Sequence, residues 1–122
     1  MTGRAARFPK QIYAVGDEPD PRFSMANERT FLAWIRTALA LFAAGVALEA
    51  LNVPMHAGWR LAAAITLAGC GVLATAQAWL GWARTERAMR TKAVLPSPSA
   101  SVVITIGVIL AVILVSVGLW QR

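Results

Sequence analysis

Three long apolar runs dominate the sequence, and short polar segments separate them. The runs extend over residues 31–51, 61–82 and 102–120. Each has roughly the 20 residues that an α-helix needs to cross a hydrocarbon core of about 30 Å. The pattern therefore predicts an all-α integral membrane protein, a bundle of three transmembrane helices.

The segments between the runs contain residues that end helices. Pro54 and Gly58 mark a short turn after the first run, and Pro96 and Pro98 precede the third. Helical pattern continues past the second run to Lys92. These short connectors leave no room for a second globular unit, so residues 1–122 are predicted to form a single three-span membrane domain.

Residues 1–23 are polar, with several prolines and charges, and are predicted to form a flexible cytoplasmic N-terminal segment. Within it, residues 17–21 are interpreted as a turn. Ser24 or Asn27 is predicted to cap the first helix, which would then begin before the membrane. The polar N-terminus does not resemble a cleavable secretory signal, so the first apolar run is expected to remain as a span.

Composition supports a membrane location. Of the 122 residues 57% are hydrophobic and 15% are charged, whereas soluble domains carry about 25% charged residues. The 12 basic residues outnumber the 6 acidic ones. Such an excess beside apolar runs is typical of loops that remain in the cytoplasm, so we expect membrane lipids and not nucleic acid as partners.

The distribution of basic residues predicts the orientation. Nine basic residues precede the first run or lie between the second and third runs, and two lie in the first loop or the C-terminal tail. The rule that positive loops stay inside then places the N-terminus in the cytoplasm and the C-terminus outside. The predicted location is the cell membrane, multi-pass, in a bacterial inner membrane. The nine residues are Arg4, Arg7, Lys10, Arg22, Arg29, Arg84, Arg87, Arg90 and Lys92.

Catalytic and metal-binding residues are sparse. The chain has one cysteine, Cys70, and one histidine, His56, and no spacing typical of metal ligands. No nucleophile lies near a base, and no pair of carboxylates shares a span. We therefore predict that the protein is not an enzyme and has no cofactor and no metal site.

Arg36 is the residue that most suggests a function, because it lies about 7–8 Å inside the first predicted span. A charge at that depth is costly, unless the side chain reaches back to the headgroup layer. Arg29 lies two helical turns earlier on the same face. The rest of that face is alanine, which permits close helix packing. One interpretation is an oligomer in which this face surrounds an axis. The alanines are Ala33, Ala40, Ala43, Ala47 and Ala50.

The segment PRFSMANERTFLAWIRTALAL, residues 21–41, resembles the signature of a family of three-span membrane proteins of unknown molecular function, the YidH-like family. The resemblance extends to the end of the chain but is specific only in the N-terminal half. Its signature residues are Asn27, Glu28, Arg29 and Thr30, followed by Trp34, Ile35, Arg36 and Thr37. The same family supplies the membrane region of the yeast vacuolar transporter chaperone subunits.

In that yeast complex, membrane domains of this type surround a pore for polyphosphate, and their first helices line it with basic residues. The resemblance implies that Arg29 and Arg36 occupy equivalent positions. The chain shows no cytosolic sensor or polymerase domain, so we expect no polyphosphate synthesis.

Three functions remain open from the sequence. The first is an oligomeric pore or channel-like subunit for phosphate-rich anions, with Arg29, Arg36, Arg84 and Arg87 guiding the anion. The second is a non-conducting accessory subunit of a larger membrane complex. The third is a scaffold that binds anionic lipids through its basic loops.

Overall fold

The computed structural model describes residues 7–97 and 100–121. Within them the chain forms four helices: α1 (Lys10–Tyr13), α2 (Pro21–Ala50), α3 (Ala57–Thr91) and α4 (Ala100–Trp120). The three longer helices are each long and apolar enough to cross a membrane. The predicted fold class, an all-α protein with three transmembrane helices, is therefore confirmed.

Helix α3 lies at the centre of the bundle. The backbones of α2 and α4 pack against α3 and not against each other in the described part of the chain. Both run antiparallel to α3, as the contacts of Asn27 with Trp82 and of Gly45 with Ala64 show for α2. Antiparallel packing brings the start of α2 and the end of α3 together. We call this end, residues 21–30 and 83–92, the basic end.

Small residues allow α2 and α3 to approach closely. A Cβ atom at Gly45 would lie 2.9 Å from the Ala64 carbonyl oxygen, and one at Gly71 would lie 3.2 Å from that of Ala38. In a membrane, where apolar burial gives little drive between helices, such backbone contact is a main source of helix association. Ala38 and Ala74 are fully buried at this interface.

The start of α2 differs from the prediction. The N-cap is Asp20, whose carboxylate accepts a hydrogen bond from the Arg22 backbone N–H at 2.9 Å, and Pro21 occupies the first helical turn. Proline suits this position because its fixed φ is helical and no N–H is needed there. The predicted caps, Ser24 and Asn27, are therefore wrong, and both lie inside the helix.

The threonines of the signature do not act as caps either. The hydroxyl of Thr30 donates to the Ala26 carbonyl at 3.2 Å, and that of Thr37 donates to the Ala33 carbonyl at 3.1 Å. Both bonds join residues four apart within α2, as is usual for threonine inside an apolar helix.

The opposite end of the bundle is closed by local polar contacts. The Nδ1 atom of His56 accepts from the Gly58 backbone N–H and caps α3. Glu49 and Arg60 form an ion pair at 3.2 Å that links α2 to α3. Trp59 donates its indole N–H to Gln121 at 2.7 Å. Among the described residues at this end, the charged side chains Glu49 and Arg60 are thus paired with each other.

Candidate functional site

A buried polar cluster joins α2 to α3 at the basic end. Glu86 accepts a hydrogen bond from the Ser24 hydroxyl at 2.9 Å and a longer one from the Asn27 amide at 3.4 Å. The same amide donates to the Trp82 carbonyl at 3.0 Å. Asn27, Glu86 and Arg90 are all buried. Because a buried carboxylate is costly without donors, these bonds position α2 against α3.

Arg90 extends this cluster to the N-terminal segment. Its side chain is only 1% exposed and donates to Glu18 at 2.7 Å and to the Tyr13 carbonyl at 3.4 Å. Its Nε atom lies 3.6 Å from a Glu86 oxygen and has no hydrogen-bond partner. Arg90 therefore connects Glu86 on its own helix with Glu18 of the preceding segment.

Residues 7–20 fold back onto the end of α3. The guanidinium groups of Arg7 and Arg90 lie 4.4 and 4.7 Å from the centre of the Tyr13 ring, within range of cation–π attraction. The Asp17 backbone N–H donates to the Arg90 carbonyl at 3.0 Å. The segment predicted to be flexible thus has specific contacts from residue 7 onward, while residues 1–6, including Arg4, lie outside the described residues.

The charges around Glu18 favour its ionised form. Hydrogen bonds from Arg7, foremost, and from Arg90 lower the pKa of Glu18 below its usual value, and the bond to Glu18 raises the pKa of Arg7. Burial of Tyr13, with the nearby charge of Glu86, raises the pKa of its phenol. Within the turn at residues 17–21, Glu18 therefore binds two arginines, Arg7 and Arg90.

The four predicted anion-binding arginines are all exposed but do not form one group. Arg29 and Arg36 lie seven residues apart on one face of α2, and neither contacts a partner group in the described chain. A shallow groove beside them is lined by Arg29, Thr30, Ala33, Trp34 and Thr37. Arg84 lines a separate cavity. Arg87 lines neither, and Glu28 is exposed near Phe31 and Trp82.

The helix register gives the depth of Arg36. Ala38 of α2 lies against Gly71 of α3, so Arg36 is level with about Leu73 of α3. Cys70 of α3 lies against Gly107 of α4, so the same level on α4 is near Ile104. Arg36 thus lies about four residues, or roughly 6 Å, beyond the start of α4. Helix α4 is the most apolar of the three, so we expect this level to lie inside the span.

Arg29 and Arg36 were predicted from the sequence, whereas the cluster of Ser24, Asn27, Glu86 and Arg90 was not. Ser24 and Asn27 lie about 60 residues before Glu86 and Arg90. Only the spacing of four between Glu86 and Arg90 indicated that a pair lay on one helix face. The described residues hold no group of His, Cys, Asp and Glu that could bind a metal ion. The hydrogen bonds of the cluster join α2 to α3, and its ion pair lies within α3.

These features define a three-span helical membrane protein with a polar, basic end. Residues 22–88 match the family described as Domain of unknown function (DUF202), and the chain belongs to this family. It is 43% identical over 112 residues to the inner membrane protein YidH of Escherichia coli strain K12, an alignment that covers 89% of this chain and 95% of that protein.

A second relative comes from Mycobacterium tuberculosis strain CDC 1551. The uncharacterized protein MT2333 is 47% identical over 83 residues, which cover 65% of this chain and 66% of that protein. No solved structure matches the chain. The descriptions of the family and of these relatives name no activity, so the absence of enzymatic function stays a prediction.

Proposed function

We propose that this protein is a homo-oligomer of the bacterial inner membrane in which the Arg29–Arg36 face of α2 surrounds a shared axis. The face forms a basic vestibule at the cytoplasmic end that binds phosphate-rich anions such as polyphosphate. The name of the Escherichia coli relative supports the inner membrane, and the nine-to-two division of basic residues supports a cytoplasmic N-terminus.

Arg36 carries the proposal, because it is exposed at a level expected inside the span and has no partner among the described residues. A lipid-facing arginine at this level costs a few kcal/mol on insertion scales, so contact with water, an anion or another subunit is favourable. Ala33, Ala40 and Ala43 on the same face are also exposed. Their small side chains would let neighbouring copies of α2 approach closely.

Arginine suits the proposed ligand because its planar fork matches the oxygens of a phosphate group, and rings of arginine are used by anion pores. The resemblance of residues 21–41 to the membrane region of the yeast polyphosphate complex suggests the same ligand class. Arg29, nearer the cytoplasm, would attract the anion first. We leave Arg84 and Arg87 out of the vestibule because neither is on α2.

The decisive experiment measures polyphosphate binding to purified protein for wild type, Arg36→Lys and Arg36→Ala. Lysine should weaken binding because the fork is lost, and alanine should abolish it. Thermal stability should stay unchanged or rise in Arg36→Ala, since an unpaired charge has left the span. Lys92→Asn, which removes a charge but not from this face, is the control. If Arg36→Ala binds like wild type, the basic vestibule is refuted and a non-conducting accessory subunit or lipid scaffold becomes the better hypothesis.

The oligomer has its own test. Ala40→Leu and Ala43→Leu should lower the oligomeric state measured by native mass spectrometry, whereas Leu39→Met should not. All three residues are exposed in the single chain, so none of the changes disturbs the packing of α2 on α3. Equal tolerance at the three positions would contradict an inward alanine face.

Orientation is tested by cysteine labelling in a Cys70→Ala background. A cysteine at position 92 should react only from the cytoplasm and one at position 56 only from outside, because both residues are exposed beyond opposite ends of the bundle. The reverse pattern would overturn the proposed topology.

A further inference from the structure

A cavity of about 160 Å³ lies at the basic end between α2, α3 and the segment that leads to α4. Trp34 and Trp82 contribute aromatic rings to its lining, and Gln77, Arg84 and Thr85 contribute polar groups. It is separate from the groove beside Arg29, although Thr30 and Trp34 border both. None of the polar cluster around Arg90 lines it except Asn27.

Three of the polar side chains that line this cavity have no partner in the described chain. In the described chain no hydrogen bond or ion pair engages the Gln77 amide, the Arg84 guanidinium or the Thr85 hydroxyl. The Asn27 amide, by contrast, is already bonded to Trp82 and Glu86. Gln77 and Thr85 are half-buried and Arg84 is exposed, so these three side chains remain available to a ligand that enters the cavity.

The free groups favour an anion. Arg84 offers only donors, Gln77 and Thr85 can each donate, and no Asp or Glu is among the residues that line the cavity. The Gln77 side chain lies over Gly81, where a Cβ atom would be 2.5 Å from the Gln77 amide nitrogen. Glycine at this position therefore permits the observed position of the Gln77 side chain.

The volume of the cavity and its position along the helices limit the kind of ligand that fits. A cavity of about 150 Å³ holds one six-membered ring such as benzene, so this one has room for a single phosphate group with its nearest atoms. The contact of Cys70 with Gly107 places Gln77 level with about Ala100, where α4 begins. Tryptophan and arginine at such a level are typical of the headgroup layer.

We propose that this cavity binds one phosphate group, with Arg84 as its charged donor and Gln77 and Thr85 as neutral donors. The group is either the phosphodiester of an anionic lipid or free phosphate. Each subunit holds a complete site, so binding does not depend on oligomerisation or on Arg36. Arg36 variants test the proposed function and Arg84 variants test this site, so either proposal can be refuted without the other.

The test uses tryptophan fluorescence, since the indole rings of Trp34 and Trp82 line the cavity. One arm compares the full-length protein in phosphatidylcholine nanodiscs with nanodiscs that also contain phosphatidylglycerol, and the other titrates inorganic phosphate in neutral detergent at constant ionic strength. Arg84→Gln should raise the half-saturating concentration about tenfold or more, the loss of one charge-assisted hydrogen bond. Lys92→Asn, also a one-charge change at this end, should leave it unchanged.

Gly81→Ala provides a second variant without a charge change. Alanine favours the helix, so the fold is retained, but its Cβ atom displaces the Gln77 amide and should weaken the response. A response to phosphatidylglycerol alone assigns a lipid ligand, and a response to inorganic phosphate in detergent assigns free phosphate. No response to either probe, or equal responses from wild type and Arg84→Gln, overturns the site.

Discussion

Replacing Arg90 with methionine tests whether the buried cluster holds the basic end together. The change keeps most of the side-chain volume but removes the bonds to Glu18 and to the Tyr13 carbonyl. It also leaves Glu86, which is 2% exposed, without a cation within 4 Å among the described residues. Of the donors that the structure describes, the neutral groups of Ser24 and Asn27 then remain for this buried carboxylate.

Removal of one partner from a buried ion pair costs about 3–5 kcal/mol, because the remaining charge stays buried and uncompensated. Glu86→Gln should cost less, about 1–3 kcal/mol, since Arg90 keeps its bond to Glu18. In the double variant no carboxylate is left unpaired by the loss of Arg90. The double variant should therefore lose less stability than the sum of the two single losses, by about 0.5–3 kcal/mol.

The free energy of unfolding of the four proteins is measured by dodecyl sulfate titration in dodecylmaltoside micelles, with circular dichroism as the signal. Arg87→Met is the matched control, because Arg87 is exposed one turn earlier on α3 and should change stability by about 0.5 kcal/mol or less. An Arg90→Met protein as stable as this control, or strictly additive effects, would refute the role assigned to the cluster.

Two further predictions concern helix packing and pH. Gly45→Val should destabilise the bundle by about 1–3 kcal/mol because its Cβ would press on the Ala64 carbonyl, whereas Gly69→Val, with nothing within 4 Å, should cost about 1 kcal/mol or less in the same titration. Because folding lowers the pKa of Glu18, its bonds to Arg7 and Arg90 stabilise the folded N-terminal segment fully above pH 4.5, the ordinary pKa. This stabilisation is lost as the pH falls through the lowered pKa of the folded protein. The distance between spin labels at positions 10 and 92 should therefore have a broader distribution at low pH. Glu18→Gln should show the broader distribution at neutral pH as well. Identical distributions at both pH values in wild type would contradict this role of Glu18.

The sequence placed Arg29 and Arg36 on one face of α2, but it did not predict the polar cluster at the basic end. Arg29 and Arg36 are seven residues apart on one continuous helix, so helical periodicity alone places them on the same face. Glu86 accepts from Ser24 and Asn27 on another helix, and Arg90 binds Glu18 of the N-terminal segment. No periodicity relates them, and only the packing of α2 and residues 7–20 on α3 brings them together.

The number and position of the spans follow from the sequence itself, because a bilayer requires about 20 apolar residues for each crossing and only three runs provide them. The side of α2 that packs on α3 could not be determined in this way. In lipid the exposed side of a helix is as apolar as the packed side, so no alternation of polar and apolar residues marks the interface. The tertiary structure decided it through backbone contact at Gly45 and Gly71, which turns Ala38 and Leu41 inward and leaves Arg36 outside.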